Sequence, residues 1–328
     1  IREWQLKAQS SSTKLIKIML KKLRTLFFFL FCLQFAQAQS FTDGLMMPKN
    51  SMCVGFNFGQ EKFSSYWEGT LLRSSPMGNQ TISTANFFAN YGIKNNLNFL
   101  VNVAYMANSA DHTPIAGMSG LQDIMLGLKY QIKITKNFNA ILIAGGSLPL
   151  TNYVAAYPFA IGNQCKTAFG KLMLQYYDEK KGLDFSIQSG YTLRSNIKID
   201  APDYYTDVFV NSNEVAIPDA MQHQIRGGYC TYRFIFEGVG TIYQTLGGFD
   251  MRRQDLPFPS NKQESTRLGV FSAYRIKSLA DVQLAGSLMY AVNGRNSGQS
   301  LTYIVGLFKN FGFTKQAAES CKAADHKM

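Results

Sequence analysis

The sequence predicts an all-β protein, a transmembrane barrel of about twelve antiparallel strands. Three observations predict it: sparse charge, period-two alternation of apolar residues, and connections that alternate between short and long. Charged residues make up 16% of the 328-residue chain, whereas Gly (27), Phe (25) and Tyr (17) are abundant. Mean hydropathy is near zero, which fits neither a helical membrane protein nor a charge-studded soluble enzyme. Such a composition suits strands that face lipid on one side and water on the other.

Period two is clearest where Leu97, Phe99, Val101, Val103 and Tyr105 point one way and Asn98, Asn102 and Ala104 the other. Ile124, Leu126, Leu128, Tyr130 and Ile132 alternate likewise with Asp123, Gly127, Lys129, Gln131 and Lys133. Twelve segments are expected, roughly 51–60, 81–91, 97–106, 122–134, 139–147, 167–177, 183–194, 220–230, 234–245, 265–276, 281–292 and 300–313. A tilted strand of about 9–11 residues crosses a bilayer. The fifth segment is Gly-rich, and the eighth and ninth alternate poorly.

Short connections fall near 92–96, 135–138, 178–182, 231–233 and 277–280, and long ones near 61–80, 107–121, 148–166, 195–219, 246–264 and 293–299. Short periplasmic turns opposite long external loops, with an even strand count, are the pattern of the bacterial outer membrane. On the apolar face, Tyr105, Tyr191, Tyr290 and Tyr303 lie at the long-loop end, and Tyr91, Tyr130, Tyr176 and Tyr274 at the other. These are two interfacial belts, which a soluble β-sandwich would not explain. Hydrocarbon tolerates no open sheet edge, so the segment ending Phe311-Gly312-Phe313 is expected to pair with the strand starting near Ser51.

The N-terminal region reads as a targeting segment. Lys21, Lys22 and Arg24 precede the apolar run from Leu26 to Phe35 and the small-x-small site Ala36-Gln37-Ala38, the order of a secretory signal peptide. Met19 opens that peptide, so residues 1–18 read as upstream sequence and 19–38 as the signal. Residues 39–50 form a periplasmic N-terminal segment, 51–313 the barrel and 314–328 a flexible tail. Of the net charge of +12, half resides in residues 1–38. No Lys/Arg run interleaved with aromatics follows, so nucleic acid is not an expected partner. The expected partners are outer-membrane lipid and a small-molecule solute, with the chain a monomer.

Twelve strands enclose more space than the eight whose interior side chains alone can fill. The lumen should be narrow, partly filled by side chains or by residues 39–50. Phe88, Leu100, Met106, Asp123, Lys129, Lys171, Asp184, Arg194, Arg267 and Arg275 are the expected solute path, with Asp281, Phe169, Met173, Phe271 and Met289 also inward. Such a mixed wall could pass an amphipathic or hydrophobic solute, or its side chains could simply fill space. A barrel lipid hydrolase would need a Ser or Asn beside a His at the wall. His223 is the one candidate, and no Gly-x-Ser-x-Gly accompanies it. No catalytic residue and no cofactor is expected. Cys53, Cys165, Cys230 and Cys321 match no disulfide framework. Cys321, His326 and Met328 are soft metal ligands, but in a short polar tail they read as disorder, and no metal site is expected.

Several segments resemble a family of bacterial outer-membrane proteins named for the meta-cleavage pathway of phenol degradation. They are Gly44-Leu45-Met46-Met47-Pro48-Lys49, Tyr66-Trp67-Glu68-Gly69 and the strand from Gly120 to Tyr130, which carries Asp123, Leu126, Lys129 and Tyr130 at family spacing. Arg194-Ser195-Asn196-Ile197-Lys198 and Arg252-Arg253-x-Asp255-Leu256-Pro257-Phe258-Pro259 look like loop motifs of its Bacteroidetes-type members. The resemblance spans roughly 41–313. It implies a barrel with a transport role and brings no catalytic motif. Asp123 and Lys129 are its most recognisable pair and read as a salt bridge in the lumen. The function expected is a channel for small, partly hydrophobic or aromatic molecules. A surface interaction barrel with long binding loops is the alternative, and an outer-membrane lipid hydrolase the third reading.

Overall fold

The computed structural model describes residues 41–253, 255–276 and 282–313. The expected signal peptide and upstream segment, Asp281, and the tail with Cys321, His326 and Met328 lie outside the described residues. Twelve long strands follow one another: β1 (Ser51–Phe63), β2 (Gln80–Lys94), β3 (Leu97–Ala110), β4 (Met118–Lys133), β5 (Phe138–Pro149) and β6 (Thr167–Asp178). The second half comprises β7 (Leu183–Arg194), β8 (Ala220–Cys230), β9 (Phe234–Thr245), β10 (Glu264–Ile276), β11 (Val282–Arg295) and β12 (Leu301–Gly312). Each pairs antiparallel with its neighbours in sequence, and β12 pairs with β1 to close the barrel.

Closure runs in register from Ser51 opposite Gly312 to Lys62 opposite Leu301. The Phe313 N–H donates to the Asn50 carbonyl at 3.0 Å, extending the seam by one bond. Every barrel strand therefore has two hydrogen-bonded neighbours, as a backbone in hydrocarbon requires. Gly55 makes the seam possible. A Cβ there would lie 1.8 Å from the ring of Phe308, which crosses it on the inner face.

Several strands run beyond the segments that alternation marks, so the connection expected at 107–121 shrinks to 111–117. Apolar alternation reports only the part of a strand that lipid covers. Above it, polar residues still pair, with water on both faces. The outer surface carries large apolar side chains in the open, including Phe56 (64% exposed), Ile187 (58%) and Leu307 (55%). In water this surface would be a severe aggregation liability; against acyl chains it is the stable arrangement. Tyr105, Tyr191, Tyr290, Tyr130 and Tyr274 are exposed on it.

The long connections fold against each other. Residues 195–219 form two small hairpins, Ile197–Lys198 with Glu214–Val215 and Tyr204–Tyr205 with Phe209–Val210. Ile197, Val215 and Ile217 bury themselves with Ala155 and Cys165 of the connection after β5. Asp250, in the connection after β9, accepts from Nε of Arg295 at the end of β11 at 2.7 Å, which holds its carboxyl down at about 2, with Asn296 as a second donor. Cys53, Cys165 and Cys230 are buried.

Candidate functional site

Residues 41–50 do not hang below the barrel; they run up inside it. Asp43 meets Lys129 Nζ at 3.0 Å, and the same ammonium donates to the Leu45 carbonyl at 2.9 Å. Gln188 donates to the Phe41 carbonyl (3.1 Å), and Arg226 to that of Thr42 (3.3 Å). The Phe41 ring stands edge-on to Phe169 with centroids 5.7 Å apart. It occupies the place that a side chain at Gly127 would need, since a Cβ there would lie 2.6 Å away. Phe41 and Met47 thus complete an apolar core with Phe88, Leu100, Ile141, Ile143 and Met173. This side of the lumen, along β2 to β6, is solid. From outside, the connection at 150–166 closes over it: Tyr153 donates to Asp123 at 3.0 Å, and Asn108 to the Ala160 carbonyl at 2.7 Å.

The opposite side is open. A cavity of about 590 Å³ lies along β8 to β12 and β1, lined by Asn57, Gln222, Gln224, Thr241, Tyr243 and Ser265 among polar groups. Phe271, Met289, Ile304 and Phe308 are its apolar lining, Gln263 and Ser297 stand at the loop end, and Thr42 of the inner segment at the other. Its charges are compensated pairwise. Arg267 pairs with Glu61 at 2.9 Å, Glu264 with Lys262 at 3.4 Å, and Arg226 with Glu237.

All ten residues expected on the solute path face inward, but only Arg267 lines this cavity. Phe88 and Leu100 are buried beneath the inner segment, and Met106 lies opposite Thr84 and Gly120 on the filled side. Asp184 accepts two hydrogen bonds from Gln175 Nε2, both 3.0 Å. The Arg275 guanidinium lies 3.9 Å from the centroid of the Tyr232 ring in the turn before β9. Arg194 donates to Tyr243 Oη at 2.8 Å, and Lys171 reaches toward Gln222 Oε1 at 3.5 Å. The expected Asp123–Lys129 salt bridge does not form. Six residues apart on one strand puts them roughly 20 Å from each other, and each is taken by a different partner, Tyr153 for Asp123 and Asp43 for Lys129.

Sequence reasoning missed Asp43, Gln222, Gln224, Arg226, Glu237 and Tyr243. Parity along β8 would have found the inward Gln222, Gln224 and Arg226. Nothing local marks Asp43 as a partner of Lys129, because their contact bridges 86 positions. His223 faces outward, opposite Ser189 and Ile242. Between His223 and Ser189 there is no hydrogen bond.

A closed, even-stranded antiparallel barrel with an apolar exterior and a plugged, polar lumen defines an outer-membrane β-barrel with the architecture of a channel. The chain belongs to the family described as "Putative MetA-pathway of phenol degradation", whose match spans residues 55–278. Among solved structures it is similar to an outer membrane channel from Pseudomonas putida F1, at 12% identity and a TM-score of 0.66. That likeness covers 84% of this chain and 100% of the other, and at this identity it shows the fold alone. The chain is more loosely similar to the NanC porin (12% identity, TM-score 0.46, 77% of this chain and 98% of that one). A similarly loose likeness is to a Pseudomonas aeruginosa FadL homologue (10% identity, TM-score 0.39, 81% of this chain and 91% of that one). No curated protein matches the sequence.

Proposed function

We propose that this protein is a monomeric passive channel, carrying small, partly apolar solutes through the open half of its lumen and past the N-terminal segment. One observation carries the reading: the cavity runs from the loop residues Gln263 and Ser297 down to Thr42 of the plug. Its volume, about 590 Å³, falls in the range of roughly 300–1,000 Å³ that holds small organic molecules. The wall pairs amide and hydroxyl groups with Phe271, Met289 and Phe308, so a solute with one polar and one apolar end finds partners for both. Among the described residues, the inner segment and the wall side chains packed on Leu45, including Tyr177, Cys230 and Ile235, fill the lumen toward its short-turn end.

The test compares the full chain with a variant lacking residues 41–49, in planar bilayers and in solute-loaded liposomes. The variant should conduct several times more current than the parent, and both should admit small solutes. Absence of current and of uptake in both would refute the channel. A second reading draws on the apolar tip of the connection after β7, where Tyr205, Val208 and Phe209 are exposed. It is contact with a partner at the cell surface, with the lumen permanently plugged.

A further inference from the structure

Lys171 is an inward cation with no carboxylate partner among the described residues. Its neighbours in the lumen are neutralised: Lys129 by Asp43, Arg226 by Glu237 and Arg267 by Glu61. Among the described residues, no carboxylate lies within salt-bridge distance of Lys171. Its one hydrogen bond is a long one, 3.5 Å to Gln222 Oε1, with the Phe169 ring 5.7 Å from the ammonium. An ionisable group at membrane depth is expensive to keep and is retained for a use.

Lys171 is not itself among the residues lining the cavity, but the wall lets its stem reach sideways toward one that is. Lys171, Gly190, Gln222 and Tyr243 form one lateral row across β6, β7, β8 and β9. Gly190 is the step the lysine stem crosses: a Cβ there would lie 2.7 Å from Lys171 Cγ. The stem therefore carries Nζ past β7 to Gln222, which lines the cavity. A second cation arrives at the next position in the same row, where Arg194 donates to Tyr243 Oη at 2.8 Å. Among the described residues no carboxylate bonds the Arg194 guanidinium either, its other acceptor being the Pro218 carbonyl at 3.2 Å. The nearby Asp219 accepts instead from the Arg194 backbone N–H (2.8 Å) and from Tyr191 Oη (2.6 Å). Glu264, the acid on the cavity wall, is held by Lys262 at 3.4 Å.

Resting on the channel reading, we propose that Lys171 and Arg194 form an anion-binding station that receives the carboxylate of an amphipathic organic acid. The apolar part of the acid lies against Phe271 and Met289. The station makes the route selective for organic anions over neutral molecules of the same shape, because an ammonium–carboxylate hydrogen bond is about twice as strong as a neutral one.

Benzoate and benzamide share size and ring and differ in charge, so they are the probes. Their binding to the full chain folded in detergent is measured at equilibrium, and their uptake is measured in liposomes. Benzoate should bind about tenfold more tightly than benzamide, the scale of one charged hydrogen bond. Lys171→Met should abolish that preference, bringing benzoate binding down to that of benzamide, and Lys171→Arg should retain it. Both variants are first shown to be folded by heat-modifiable migration on a gel. Equal binding of the two probes by the parent, or a preference that survives in Lys171→Met, overturns the station. Uptake of both probes without preference would overturn it and leave the channel standing. Preferential benzoate binding without uptake would support the station and remove the channel.

Discussion

Replacing Lys129 with Met is expected to release the inner segment and open the lumen without unfolding the barrel. Lys129 is wholly buried and Asp43 nearly so, 3.0 Å apart. Removing one member of such a pair leaves its partner's charge stranded, at a cost of about 3–5 kcal/mol. In a continuous core that cost would fall on the whole fold. Here the stranded carboxylate belongs to a segment that precedes β1 and enters no sheet, so it can regain water by leaving the lumen. The opposing cost is exposure of Phe41 and Met47, about 1.5–3 kcal/mol each if fully transferred. The two are comparable, so single-channel records of Lys129→Met should show long open events that are rare in the parent. Heat-modifiable migration should be unchanged. Combining Lys129→Met with Asp43→Leu removes both charges and should restore the closed state. Records indistinguishable from the parent's would mean that the ion pair does not hold the plug.

The second large effect is on insertion. Leu307 is exposed on β12 between Phe56 of β1 and Leu284 of β11, well away from either strand end. An arginine at the midplane of a membrane barrel costs about 2–4 kcal/mol. Leu307→Arg should therefore lose a stability of that size in urea titrations performed in phospholipid vesicles. An unchanged midpoint would mean that this surface does not face acyl chains.

How legible all this was in the sequence depends on what each feature rests on. The barrel rests on a local signal, because one face of each strand meets a single solvent, and β3 and β4 display it plainly. The faint alternation of β8 and β9 now has a cause. Their outward positions include Gly227, Gly238 and Gly240, which carry no side chain to register as apolar, while Gln222, Gln224, Arg226 and Glu237 face inward. Which residues face the lumen was likewise readable by parity. Which of them touch was not. Asp123 and Lys129 share a face of β4 and suggest a pair, yet the strand holds them far apart, and the partner of Lys129 comes from before the first strand. Nor does parity say which half of a lumen fills. That follows from the course of residues 41–50 and from the inward fold of residues 150–166, neither of which has a period.

The most direct measurement of the central claim compares water access at two positions whose side chains differ only in which way they point. Single cysteines are placed at Ile187, on the outer face, and at Gln224, on the cavity wall, in a chain whose native cysteines are replaced. Intact cells or liposomes are then treated with a charged, membrane-impermeant thiol reagent. Labelling at 224 with protection at 187 is the predicted result. Protection at 224 together with labelling at 187 would contradict it, for the apolar side would then face water and the polar side would enclose nothing that water can reach.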